Sequence, residues 1–150
     1  MANPAQSTTE SETVLVLAQR EEIDRAQARV QAAMERLGYP EPSRFAVRLA
    51  LEEALSNAIR HGHKNLPPEV PVRLEYRASP DRMELVVEDK GPGFSPDAVP
   101  DPTLDENLEL PAGRGLLLMR AYMASVEYND RGNRVSMRYE VPTAGRSAAP

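Results

Sequence analysis

The stretch SRFAVRLALEEALSNAIRHG, residues 43 to 62, decides the reading of this chain. Set on a helix at roughly 100° per residue, Val47, Leu51, Leu55, Ala58 and Ile59 gather on one side, while Ala46, Ala50, Glu53 and Asn57 gather almost opposite. One face is an apolar anchor, and the other carries small side chains around two polar groups. Such a helix packs on a sheet and lends its far side to a pocket wall. Ser43 fits the N-cap, and Gly62 stops the helix after about His61. Glu53 and Asn57 are four apart, so their side chains are neighbours, and an amide oxygen beside a carboxylate suits a hydrated Mg²⁺. Taken alone, the pair also describes a solvated helix edge.

The flanks supply partners for the anchor face. Upstream, Ile23, Ala26, Val30, Met34 and Leu37 make one stripe on a helix from Glu21 to Leu37, which Gly38 ends. Before it, Thr13 to Leu17 reads as an edge strand. Downstream, Val72, Leu74 and Tyr76 alternate with Arg73, Glu75 and Arg77, and after a turn at Ala78 to Asp81 the residues Met83, Leu85 and Val87 form the return strand. Val135, Met137, Tyr139 and Val141 repeat the alternation after a turn at Asn129 to Gly132. A third helix, Gly115 to Met123, turns Leu116, Leu117, Met119 and Met123 inward. The order β-α-α-β-β-loop-α-β-β predicts an α+β fold, a two-layer α/β sandwich whose mixed, mostly antiparallel sheet is covered on one face by about three helices. Gly91 to Ala112, with five acidic residues and four prolines after Phe94, is long for a loop in a compact domain and is read as a mobile lid.

The chain has 150 residues, 41% of them hydrophobic, which is material for one domain and hardly for two. Residues 1–12 and 143–150 lack apolar periodicity and read as disordered tails around a domain at 13–142. A net charge of -5 with scattered basic residues argues against nucleic-acid binding, and the lack of tryptophan leaves little for base stacking. No apolar run approaches a membrane span and the N-terminus has no leader pattern, so a cytoplasmic protein without membrane contact is expected. The absence of cysteine excludes disulfides and thiolate chemistry. His61 and His63 flank Gly62 without a third ligand nearby and are read as part of a helix C-terminus rather than a metal site.

Two more polar clusters stand out. Asp89-Lys90-Gly91-Pro92-Gly93 follows an apolar strand, placing an Asp at the end of the sheet, where it can accept a hydrogen bond from an exocyclic amine, and two glycines where backbone can approach a ligand. Gly113-Arg114-Gly115 opens the third helix, where free N–H groups and the helix dipole hold phosphate oxygens. A turn or a flexible loop end would look similar in either place.

Together and in order, LEEALSNAIRHGHK (51 to 64), VEDKGPGF (87 to 94) and AGRGLLLM (112 to 119) resemble the N, G1 and G2 boxes of the GHKL superfamily of ATPases and kinases, which carry the Bergerat fold. Within it the short chain and the boxes EALSNAIRHG and GRGL resemble the bacterial anti-sigma-factor serine kinases. The resemblance implies ATP and Mg²⁺ as ligands, with Asn57 on the metal, Asp89 on the adenine amine and Glu53 as the catalytic general base. It further implies that Gly91, Gly93, Gly113 and Gly115 frame the nucleotide and its lid, that Leu116 follows in the same binding segment, and that Arg60 and Arg114 lie towards the phosphates. Some members carry an Arg in the lid just before the G2 glycines; here Glu106 to Ala112 has none, leaving Arg114.

The function so implied is a serine/threonine protein kinase that acts as an anti-sigma factor and phosphorylates an anti-anti-sigma (STAS-domain) partner, with a sigma factor as a further partner. A homodimer is implied by the resemblance alone. The alternative is an ATP-gated switch that sequesters a partner without phosphorylating it. A sensor histidine kinase needs a phosphoacceptor His on a preceding helical hairpin, and both histidines here follow the N-box helix instead.

Overall fold

The computed structural model describes residues 9–62, 66–67, 69–91 and 119–142. Five strands form one sheet: β1 (Glu10–Val16), β2 (Val72–Ser79), β3 (Arg82–Glu88), β4 (Ser125–Tyr128) and β5 (Arg134–Glu140), in the order β1-β2-β3-β5-β4. All four pairings are antiparallel. Helices α1 (Arg20–Arg36) and α2 (Glu41–Asn57) lie on one face, with a further helical segment at residues 119–122. This is the expected two-layer α+β sandwich.

The alternation in sequence becomes the division between faces. Val72, Leu74, Tyr76 and Ala78 of β2, Met83, Leu85 and Val87 of β3, and Val135, Met137 and Tyr139 of β5 are buried under the helices. The register sets Leu74 against Val87 and Leu85 against Met137, so these side chains form continuous rows across the sheet. Ile23, Ala26, Val30 and Met34 of α1 and Val47, Leu51 and Leu55 of α2 complete the core. Met119 and Met123 are buried as well, and the ring of Tyr122 meets Phe45 of α2 edge to face, with centroids 6.2 Å apart. The other face carries a ladder of charges, Arg73 opposite Glu88, Arg77 opposite Glu84, and Glu84 opposite Arg138. It carries an open hollow of about 830 Å³, lined by polar side chains such as Thr13, Glu75 and Ser136.

Several boundaries differ from expectation. β1 begins at Glu10 rather than Thr13, so the sheet extends into the stretch read as a tail. Helix α1 ends in the Schellman pattern: Gly38 adopts φ 82°, its N–H donates to the Glu35 carbonyl (3.1 Å), and the Tyr39 N–H donates to that of Met34 (3.0 Å). Helix α2 starts two residues before Ser43, with Pro40 in the cap position and Pro42 in the first turn, where a missing N–H costs nothing. Ser43 is no cap. It is buried, and its Oγ accepts a hydrogen bond from the Tyr139 hydroxyl at 2.7 Å. The helix does reach Gly62, but from Ala58 onward as a wider π turn. The face carrying Ala46, Ala50 and Asn57 is also not an open wall, because all three are buried and only Glu53 among the four is half-exposed. Residues of the third helix before Met119, and the whole lid, lie outside the described residues.

Ion pairs fasten α1 to the edge strand. Arg36 holds Glu10 (2.7 Å), and Arg29 holds Glu12, which also accepts the Tyr76 hydroxyl at 2.8 Å. The arginine hydrogen bonds hold both carboxyls below the usual range, Tyr76 adding to the effect at Glu12. With folded pKa values below the unfolded value of roughly 4.3, their contribution is present above that value and lost as pH falls through the lower folded ones. Both lie at the surface and are partly exposed, so solvent screening keeps the contribution small. Glu12→Gln is therefore expected to lower Tm by about 1–3 °C at neutral pH and to make the loss of stability on acidification shallower, as thermal melts across a pH series will show.

Candidate functional site

The site forms where the C-terminal end of α2 meets the end of β3. Leu51 and Leu55, fully buried, seat α2 on the sheet. That seating carries Asn57 to the last helical position and into a crevice lined by Ala54, Ala58, Val87, Asp89, Tyr128 and Asn133. The described residues leave only about 10 Å³ open there, close to the volume of a single water. Asn57 and Asp89, distant in sequence, thus share one cavity.

Asn57 is 4% exposed, and its Oδ1 has no hydrogen-bond partner. Burial pushes the Tyr128 phenol in the same crevice up to about 12, with the polar neighbour Asn57 and the charge of Arg120 acting the other way. An orphaned amide oxygen is costly in a protein interior and requires an explanation.

Asp89 is held by a frame that sequence reasoning missed. Its N–H donates to the Asn133 carbonyl (2.9 Å), and the Asn133 Nδ2 donates back to the Asp89 carbonyl (3.0 Å). Asn129 braces Asn133 in turn, its Oδ1 accepting the Asn133 N–H (3.0 Å) and its Nδ2 donating to the Asn133 Oδ1 (2.7 Å). Gly132, at φ 75°, closes this turn by donating to the Asn129 carbonyl (3.0 Å). Arg131 reaches the Gly91 carbonyl at 3.1 Å, and the Gly91 N–H donates to the Asp89 Oδ1 at 2.8 Å. The β4–β5 turn thereby fixes both backbone and carboxylate of the β3 exit. The pattern Asn-Asp-Arg-Gly-Asn marks a turn in the sequence, but nothing local in it points at residue 89.

Glu53 lies one helical turn before Asn57. Burial raises its pKa above the ordinary value and the neighbouring Glu52 adds to this, against the opposing charge of Arg60. Glu52 behaves oppositely: Arg20 grips it with two bonds, 2.7 and 2.8 Å, and holds its carboxyl low. Arg60 lies on the π turn, exposed. Of the anticipated residues, Asn57, Asp89 and Gly91 come together, and Glu53 and Arg60 flank them. Gly93, Gly113, Arg114, Gly115 and Leu116 lie outside the described residues. Among those described, no cluster of three His, Cys, Asp or Glu side chains is arranged to hold a metal, and no helix is long and apolar enough to cross a membrane.

Residues 16–139 match the family described as histidine kinase-like ATPase domain. The chain is similar to the serine-protein kinase RsbW of Bacillus licheniformis, 34% identical over 113 residues covering 68% of each chain. It is also similar to RsbW of Bacillus subtilis, 29% identical over 131 residues, 81% of this chain and 80% of that one. The serine/threonine-protein kinase BtrW of Bordetella bronchiseptica is 31% identical over 90 residues, 59% of this chain and 63% of the relative.

Asn133→Ala removes the bond to the Asp89 carbonyl and leaves a buried acceptor short of a partner. A loss of about 1–3 kcal/mol in unfolding free energy is expected, to be measured by urea denaturation.

Proposed function

The chain belongs to the histidine kinase-like ATPase domain family, and on that premise we propose that it is an ATP- and Mg²⁺-dependent serine/threonine protein kinase of the anti-sigma kind. Its substrate is a hydroxyl of an anti-anti-sigma, STAS-type partner, and a sigma factor is the second protein it binds. The names of the RsbW and BtrW relatives, kinases of serine or of serine and threonine, support the acceptor class. The observation that carries the reading is the unpartnered, buried Oδ1 of Asn57 in one crevice with Asp89.

An amide oxygen is the donor type that Mg²⁺ accepts beside its waters, so the residues present fit the ion. Asn57 would hold it, and bound there it would offset negative charge on the phosphates. Asp89, its carboxylate turned by the Gly91 N–H, accepts from the exocyclic amine of adenine. Gly91 brings backbone close to the base, and Gly93, Gly113, Gly115 and Leu116 continue the binding segment. Arg60 and Arg114 supply positive charge on the phosphate side. Glu53 takes the proton of the attacking hydroxyl at its carboxylate, and its raised pKa makes it a stronger base than an exposed glutamate.

Calorimetry with ATP and millimolar magnesium tests binding, and single-turnover labelling of the candidate partner tests transfer. A second reading, an ATP-gated switch without transfer, draws on the absence of arginine from Glu106 to Ala112; a partner that stays unlabelled while nucleotide binds would select it.

Glu53 separates function from stability. Its folded pKa exceeds the unfolded one, so its favourable contribution is complete below the unfolded value and lost as pH rises through the folded value. At neutral pH the ionised group is a net cost. Glu53→Gln should therefore raise Tm slightly while phosphoryl transfer falls by about 100-fold or more and ATP affinity persists. In the wild type the rate should fall with acidification at a pH above that of an ordinary glutamate; transfer at the wild-type rate in the Gln variant would remove Glu53 as base.

A further inference from the structure

Purines differ at position 6 in a way that a carboxylate can read. Adenine carries an amine there, which donates, whereas hypoxanthine carries a carbonyl oxygen and offers its nearest donor, the ring N1–H, one atom further round. A carboxylate free to swing accepts from either, so discrimination depends on how firmly it is aimed. Asp89 is buried and aimed by a short chain of contacts. The Gly91 N–H donates to its Oδ1 at 2.8 Å, an Asx turn that fixes the plane of the carboxylate. Gly91 is followed by Pro92, which has no N–H to continue the turn. The hold on Gly91 comes instead from across the sheet, where the Arg131 Nη2 donates to the Gly91 carbonyl at 3.1 Å. Asn133 holds the backbone of Asp89 itself, so the two residues of the β4–β5 turn have separate tasks.

We propose that Arg131 is a positioning residue for base selectivity: by holding the Gly91 carbonyl it keeps the Gly91 N–H on the Asp89 carboxylate, and so keeps that carboxylate turned to accept from a 6-amino purine in preference to a 6-oxo one. This deepens the proposed function and rests on it. Arg131 acts through Gly91, and its side chain is exposed, so removing the guanidinium leaves the core intact. Without the hold, the carboxylate gains freedom to rotate towards an N1–H, which weakens the binding of adenine and spares that of hypoxanthine. A role confined to drawing in phosphate charge, or to folding, would weaken both alike.

The test is calorimetry on the full chain in millimolar magnesium, comparing ADP with inosine diphosphate, its 6-oxo counterpart. Arg131→Met keeps an unbranched stem and removes the guanidinium. Wild type is expected to prefer ADP, and Arg131→Met to reduce that preference by about 10-fold, the scale of one hydrogen bond to a charged group. An unchanged ratio of the two affinities in the variant overturns the proposal, and so does an equal loss for both ligands. A wild-type chain that binds the two diphosphates equally leaves nucleotide binding in place and overturns the selectivity. The backbone contact is read without any nucleotide, by amide hydrogen exchange at Gly91. Exchange there should be several times faster in Arg131→Met than in wild type, and equal rates overturn the positioning role. If wild type binds neither diphosphate while Gly91 exchange still depends on Arg131, the functional reading fails and base selectivity falls with it, leaving only the contact between the two turns.

Discussion

Seating α2 on the sheet is the constraint on which the rest of the molecule depends. Val47, Leu51 and Leu55 are fully buried, each with a burial free energy of about 1.5–3 kcal/mol, and their spacing leaves one rotational setting of the helix that buries all three. Once that setting is taken, Asn57 has no choice of direction. It enters the interior at the sheet edge where β3 ends and β4 passes. The polar residue is buried because the apolar ones are, and its unpartnered oxygen is the local cost of that placement.

Two adjacent carboxylates show how one helix places identical groups in opposite environments. Glu52 turns towards α1, where Arg20 takes both oxygens and holds the group ionised. Glu53, one residue and roughly 100° further round, meets burial with only the more distant help of Arg60. Environment alone sets one pKa down and the other up. A parallel division holds across the sheet. Its inner face is apolar and continuous, while the outer face pairs arginine with glutamate across strands, so charge is balanced without a cover.

The end of β3 is stabilised from a distance. Asp89 and Gly91 belong to a short turn that would be free to vary if it depended on its own residues. Asn133 and Arg131 hold its backbone from the β4–β5 turn, 44 and 40 residues later in the chain, and the Asn129–Asn133 pair braces that turn.

The sequence by itself determined the class of fold, because strict alternation in β2, β3 and β5 and the stripes of α1 and α2 each have one way to bury their apolar side. It also singled out Glu53, Asn57, Asp89 and Gly91 as candidates, through segments that together resemble the boxes of a known superfamily. Tertiary structure alone decided that Ser43 is bonded to Tyr139 instead of capping α2, that the Ala46–Ala50 face is covered, and that Tyr128 and Asn133 belong to the site. The reason is physical. Periodicity and capping are local and can be read within a few turns of chain, whereas a hydrogen bond between residues 43 and 139 or 89 and 133 exists only after the sheet has set the register that brings them within reach.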